Sequence, residues 1–172
     1  MNTRIIKAPL GIEFSQINDN ESVFKKEFDL LSENNDDPIS AWLKSMRAKG
    51  KVIDESEPTI QLLVELHRKI DTLSAEIKNE KKDFLKLEYS IRLDSIGHNL
   101  IIFEDEILQG GKKYYGRIDI AVFPVRKMPL FFEALDSTNA RIYLMHERDI
   151  ADFDSYITAR ERSIIRESKL KV

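Results

Sequence analysis

The chain of 172 residues contains no cysteine. That absence removes disulfide frameworks, thiolate metal sites and cysteine nucleophiles together, and it suits a reducing compartment. Glycine is scarce at 6 residues, proline stands at 5 and tryptophan at 1. No P-loop, G-x-G-x-x-G or G-x-S-x-G pattern occurs, so the usual phosphate cradles and nucleophile elbows are missing. No stretch approaches the roughly 18 uncharged apolar residues of a membrane span. The opening MNTRIIKAPLGIEF also lacks the apolar segment of a signal peptide. The expectation is a soluble, cytoplasmic protein with no membrane span. An excess of positive charge is absent too: 27 Lys+Arg against 30 Asp+Glu leave a net of −3, without the basic footprint of a dedicated nucleic-acid binder. What remains is 42% hydrophobic and 33% charged, enough for one sizeable core, or a small core with an extension.

Residues 13–37 hold eight acids against two bases, Lys25 and Lys26, a net of −6. This segment reads as a solvated face or an arm. Within it Val23, Phe24, Phe28 and Leu31 recur near a period of 3.6, which predicts a short helix over about 20–33. The run ENNDDP ends it. A second short helix, ISAWLKSMRAKG, carries Trp42, Leu43 and Met46 on one side and Gly50 as terminator. Residues 1–53 are thus expected to form an acidic arm with short helices.

The longest periodic segment is expected over 54–84, with Asp54 near its start and Pro58 in its first turn. Leu63, Leu66, Ile70, Leu73 and Ile77 follow the 3, 4, 3, 4 spacing of heptad a and d positions, and Phe84 falls on a later a position. Such a helix would be on the order of 40 Å long, more than a compact domain of this size usually needs. The reading is an oligomerisation seam, with a core helix lying across a sheet as the other possibility.

From Lys86 the period changes to 2. Leu87, Tyr89, Ile91 and Leu93 alternate with polar residues, NLIIF forms a second strand, and Gly110-Gly111 supply a turn. YYGRIDIAVF (114–123) is a third strand, with Ile118 and Ile120 alternating against Arg117 and Asp119. Residues 124–129 make a connection, and LFFEALD (130–136) and ARIYLMHE (140–147) complete five strands joined at DSTN. Short antiparallel strands at this spacing predict a small barrel or sandwich over 85–172. The chain closes with a helix that has Asp149 as N-cap and Ile150, Phe153, Ile157 and Ile164 on one stripe. The fold class is therefore α+β: a small antiparallel β-barrel with a long N-terminal helix and a C-terminal helix.

Catalytic chemistry finds little support. Glu104, Asp105 and Glu106 are dense, but neighbouring strand positions point to opposite sides and do not converge. His67, His98 and His146 have no metal-ligand spacing. KKYYGR does not continue into a nucleic-acid-binding motif, and its tyrosines suit packing. The expectation is no enzyme, no metal and no cofactor.

The strand phrases IRLDSIGHNLIIF and RIDIAVFP, two further strands, and the closing DIADFDSYITARERSIIRES together resemble the PilZ domain over roughly residues 84–168. The LDSIGHNL segment sits where that family carries its D/N-x-S-x-x-G turn. Asp149, Tyr156-Ile157 and Arg160-Glu161-Arg162 resemble its last helix. The resemblance implies a barrel and a signalling or adaptor role, in contexts such as motility or surface attachment. It also implies self-association through Leu63, Leu66, Ile70, Leu73 and Ile77, since some members oligomerise through heptad-bearing helices, and contact with a further protein partner. Many PilZ domains bind cyclic di-GMP with an R-x-x-x-R ahead of the barrel, where planar guanidinium groups stack on guanine and fork onto phosphate. Here no R-x-x-x-R precedes those strands, and Lys78/Lys82 and Lys82/Lys86 have its spacing with lysine chemistry. If Ser95 takes the motif serine, Leu93 takes the acid position and His98 the glycine position. The candidate nucleotide site is accordingly a degenerate one: Lys82, Lys86, Asp94, Ser95, His98 and Asn99. A cyclic di-GMP receptor is the alternative to the adaptor.

Overall fold

The computed structural model describes residues 5–33, 42, 45–46, 48–50, 57–77, 84–120 and 126–170. The chain divides into two compact units, one made of 1–29 with 86–172 and the other of 30–85.

The first unit is built on a closed antiparallel barrel, so the α+β class with a small barrel holds. Its strands are β2 (Gly11–Gln16), β3 (Tyr89–Gly97), β4 (Leu100–Phe103), β5 (Lys113–Ile120), β6 (Arg126–Ala134) and β7 (Asn139–Met145). Going round, the order is β3, β2, β5, β6, β7, β4 and back to β3. A two-residue strand, β1 (Ile6–Lys7), extends the β2 side along β3, with Ile6 opposite Ile96. Closure leaves no long free edge in a sheet this short, which is how small all-antiparallel sheets avoid edge-to-edge association.

Alternation fills the interior. Ile12 and Phe14 of β2, Leu93 of β3, Ile101 and Phe103 of β4, Tyr114, Ile118 and Ile120 of β5, and Met128, Leu130 and Phe132 of β6 are all buried in one cluster. Phe14 is its aromatic hub, stacked on Tyr89 at 5.0 Å and meeting Phe103, Tyr114 and Phe132 edge-on at 5.3–5.8 Å, the offset and T-shaped geometries that ring quadrupoles favour. Such packing needs a gap beside it. A Cβ on Gly116 would stand 3.0 Å from the Glu13 carbonyl oxygen, 3.1 Å from Phe14 Cβ and 3.2 Å from a Phe132 ring carbon. Only glycine lets β2 and β5 approach here.

A helix, α1 (Glu21–Glu33), follows β2, and a second, α2 (Pro58–Ile77), lies in the unit 30–85. Pro58 is the first residue of α2, where its missing N–H is not needed, and the Glu57 carbonyl accepts from Gln61 N at 3.1 Å. The last helix, α3 (Glu147–Leu170), drives Phe153 and Ile157 into the barrel core.

Several expectations need correction. The expected acidic arm over 1–53 contains a barrel strand, β2, and the short strand β1 beside it. Glu13 made β2 look solvated, whereas its flanking Ile12 and Phe14 are interior and its own carboxylate is paired. The barrel is therefore not confined to 85–172. Pro129 lies in β6 opposite Arg117 rather than in a connection. It is tolerated because β7 pairs with β6 only from Leu130 onward, so no second ladder calls on its absent N–H. α3 starts at Glu147, with Ile150 N bonded to the His146 carbonyl at 2.9 Å, so Asp149 is a first-turn acid and not the N-cap. Phe84 is not helical, so the helix does not reach the later a position. The expected helix at 20–33 is α1, and the one before Gly50 is helical at Trp42, Ser45, Met46 and Ala48, ending on Gly50 with φ 73°. Asp54, Glu80 and Lys82 lie outside the described residues.

Candidate functional site

The turn between β3 and β4 gathers four of the expected residues. Asp94 sits where the β3–β4 register slips between Leu93 and Ser95, a bulge that re-aims one side chain. Leu93, at the position of the motif acid, is turned into the barrel core, so it can touch no ligand. The Asp94 carboxylate stands in its place at the surface. It accepts a 2.6 Å hydrogen bond from the buried Ser95 hydroxyl and lies 3.8 Å from Lys7 Nζ. His98, in the turn, has Nδ1 2.6 Å from Asp154 Oδ1 on α3. An ionised carboxylate only accepts, so the imidazole is the donor. Arg160, six residues further along α3, donates from Nε to the Lys7 carbonyl at 3.4 Å. Asn99 contributes its backbone carbonyl to Ile142 N at 2.9 Å.

The corner thus combines two cations, Lys7 and Arg160, with the two acids Asp94 and Asp154, a hydroxyl and an imidazole. Its exposed ion pairs are weak individually. Lys86 does not join it: it precedes β3, and the strand alone separates Tyr89 from Asp94 by about 16 Å at ~3.3 Å per residue. Sequence reasoning did not assign Lys7, Asp154 or Arg160 to the site. Arg160 was visible as part of the resembling helix phrase, but Lys7 and Arg160 are 153 residues apart, and no spacing rule links them.

A second constellation lies outside the barrel wall, beneath α1. On the outer face of β5, Arg117, expected to face solvent, is 3% exposed, and Tyr115 is buried. Phe24 stacks on Tyr115 at 5.1 Å, and Phe28 packs on Phe131 at 5.2 Å and on the His146 ring at 3.7 Å. His146 Nε2 lies 2.9 Å from the Phe28 carbonyl, which accepts from it. Glu27 Oε1 accepts from both Tyr115 Oη at 2.8 Å and Arg117 Nη1 at 2.7 Å. Arg117 Nη2 reaches Glu13 Oε2 at 3.0 Å, which also accepts from Lys127 Nζ at 3.1 Å. Burial raises the Glu13 carboxyl, but Lys127 and then Arg117 outweigh it and hold it below its ordinary value. Burial, followed by the neighbouring Glu27 carboxylate, pushes the Tyr115 phenol far up. This network fixes α1 to the barrel. We read it as structural.

The expected oligomerisation residues belong to α2. Leu63, Leu66, Ile70, Leu73 and Ile77 are 53–83% exposed. Val64 is buried, and Ile60, Gln61, Glu65 and Arg68 are half-buried. At 100° per residue the exposed stripe is centred about half a turn from those residues. A helix that used its own fold to cover its apolar side would show the reverse.

Among the described residues no group of three or more His, Asp or Glu could hold a metal ion, and no helix is long and apolar enough to cross a membrane. No protein-family model, no curated protein and no solved structure matches the chain.

Proposed function

We propose that this chain is a non-catalytic, PilZ-like adaptor that associates with copies of itself through α2 and acts by contact with a partner protein. The observation that carries the reading is the inverted burial of α2, with its heptad residues in water and its more polar side covered. Large aliphatic side chains that are still half-exposed each stand to gain on the order of 1 kcal/mol from further burial, at about 25 cal/mol/Å². Summed over Leu63, Leu66, Ile70, Leu73 and Ile77 in two copies, this is on the order of 10 kcal/mol before the entropy of association is subtracted. The small antiparallel barrel suits the PilZ resemblance.

Light scattering tests the association. The wild-type particle should have a mass of at least two chains, and the double variant Leu66→Lys/Leu73→Lys should have the mass of one, because two uncompensated charges in a desolvated seam cost several kcal/mol. A single-chain mass for the wild type at tens of micromolar refutes the reading.

One observation favours a second reading, a cyclic di-GMP receptor with a degenerate site. Lys7 Nζ lies 3.8 Å from Asp94 and Arg160 donates to the Lys7 carbonyl, and two cations at one corner suit a phosphate. Asp94 already engages Lys7, Asp154 engages the imidazole and Arg160 donates to the Lys7 carbonyl, which ranks this reading below the first. Calorimetry with the dinucleotide at near-millimolar concentration should give heat that Lys7→Ala and Arg160→Ala each abolish. No heat dismisses it.

A further inference from the structure

We infer that the assembly is a parallel, in-register pair of α2 helices, each apolar residue meeting its own counterpart in a second copy of the chain. This rests on the self-association reading and adds the orientation and number of copies. The heptad stripe of α2 sets the orientation. Its a positions are Leu63, Ile70 and Ile77, and its d positions are Leu66 and Leu73, three of one kind and two of the other. In a parallel pair a meets a and d meets d, so all five residues form apolar layers. An antiparallel pair matches a with d, and three a positions cannot all find partners among two d positions. Four apolar layers are the most it can form, and one a residue of each helix is left without an apolar partner.

The two antiparallel registers that reach four layers can be written out. In one, Leu63 meets Leu73 and Leu66 meets Ile70, which leaves Ile77 opposite Thr59. In the other, Leu66 meets Ile77 and Ile70 meets Leu73, which leaves Leu63 opposite no residue of α2. Ile77 is the most exposed residue of the stripe at 83%, so the first register abandons the side chain with most to gain. The second leaves Leu63 without an apolar counterpart in α2. The identity of the residues points the same way. Isoleucine at a with leucine at d is the combination that favours two parallel strands, whereas isoleucine at d drives higher orders. Ile70 and Ile77 are at a, and both d positions are leucine.

The absence of cysteine makes disulfide trapping unambiguous. Leu66→Cys and Leu73→Cys are each oxidised alone. Leu63→Cys is then mixed with Leu73→Cys, and Leu66→Cys with Ile77→Cys, one member of each mixture carrying a mass tag. The parallel pair predicts that each single variant becomes mostly covalent dimer. In the mixtures, tagged and untagged chains should not be linked, because residues 10 or 11 apart on in-register helices stand about 15 Å from each other along the axis and a disulfide needs Cα atoms within about 7 Å. The native mass of the wild type should be two chains. Tagged–untagged dimers dominating either mixture, with little self-linking of the single variants, overturn the parallel orientation and leave self-association standing. A native mass of three or four chains overturns the pair. A native mass of one chain refutes self-association itself.

Discussion

Replacing Glu27 with alanine removes the carboxylate on which the packing of α1 depends. Glu27 Oε1 accepts two hydrogen bonds, from Tyr115 Oη at 2.8 Å and Arg117 Nη1 at 2.7 Å, and its side chain is almost wholly enclosed. Bonds to a charged partner contribute about 1.5–3 kcal/mol each. Removing one member of a buried ion pair costs about 3–5 kcal/mol, because the remaining charge is left without compensation. Arg117 would still have Glu13 at 3.0 Å, so the lower end applies, about 3 kcal/mol. For a domain of this size that is a fall in melting temperature of roughly 6–12 °C. Urea and thermal denaturation followed by far-ultraviolet circular dichroism would measure it. Glu27→Gln, which keeps an acceptor for Tyr115 but loses the charge, should fall between alanine and wild type. The double variant Glu27→Met/Arg117→Met should lose less than the sum of the two single variants, since neither partner is then stranded. If Glu27→Ala unfolds within about 0.5 kcal/mol of the wild type, α1 is not held on β5 in solution and the argument for its buried network fails.

Three further outcomes follow from the same packing. Gly116→Ala should destabilise by about 1–3 kcal/mol through overpacking, since its Cβ would meet the Glu13 carbonyl oxygen at 3.0 Å, and an unchanged urea midpoint would contradict the close approach of β2 and β5. Folded Tyr115 holds its proton more tightly than an unfolded tyrosine, which titrates near pH 10. Its contribution is therefore complete below about pH 10 and declines as the pH rises past that value. An alkaline absorbance titration should show a phenolate that appears only on unfolding, and Tyr115→Phe should remove that step. Asp136 closes the turn between β6 and β7: the backbone N–H of Thr138, then the Asn139 side chain and N–H, hold its carboxyl at about 2 against an ordinary 3.8. Its contribution is full above about pH 4 and is lost as acid carries the pH through 2. Asp136→Ala should lower the melting temperature at neutral pH and flatten its dependence between pH 4 and 2, and an unaltered acid profile would refute the role.

Much of the barrel was readable because alternation survives where one face is buried and the other wet. Ile118 and Ile120 against Asp119, and the DSTN turn before β7, are of this kind. β5 shows why the rest was not. Tyr115 and Arg117 occupy its outer face, and polar residues there read as solvent-facing until α1 is laid across them. β2 was hidden by its brevity and by Glu13, whose charge is answered by Arg117 and Lys127 from strands more than a hundred residues further along. The candidate corner was half legible. Asp94, Ser95, His98 and Asn99 are adjacent in the chain and stay adjacent in space, whereas Lys7, Asp154 and Arg160 reach them only through closure of the fold. Which way the α2 stripe faces is a property of the folded chain, and periodicity alone left it open.

The seam of the barrel is sewn with thread from both ends of the polypeptide. Phe14 meets Gly116, 102 residues later in the chain, with the whole unit 30–85 intervening. During synthesis, at the ordinary ribosomal pace of about 5–20 residues per second, Ile12 and Phe14 wait several seconds or more for their partners, a window in which a bare apolar strand is open to chaperones and to misassociation. Expressing residues 85–172 alone would leave the staves of a cask with one missing.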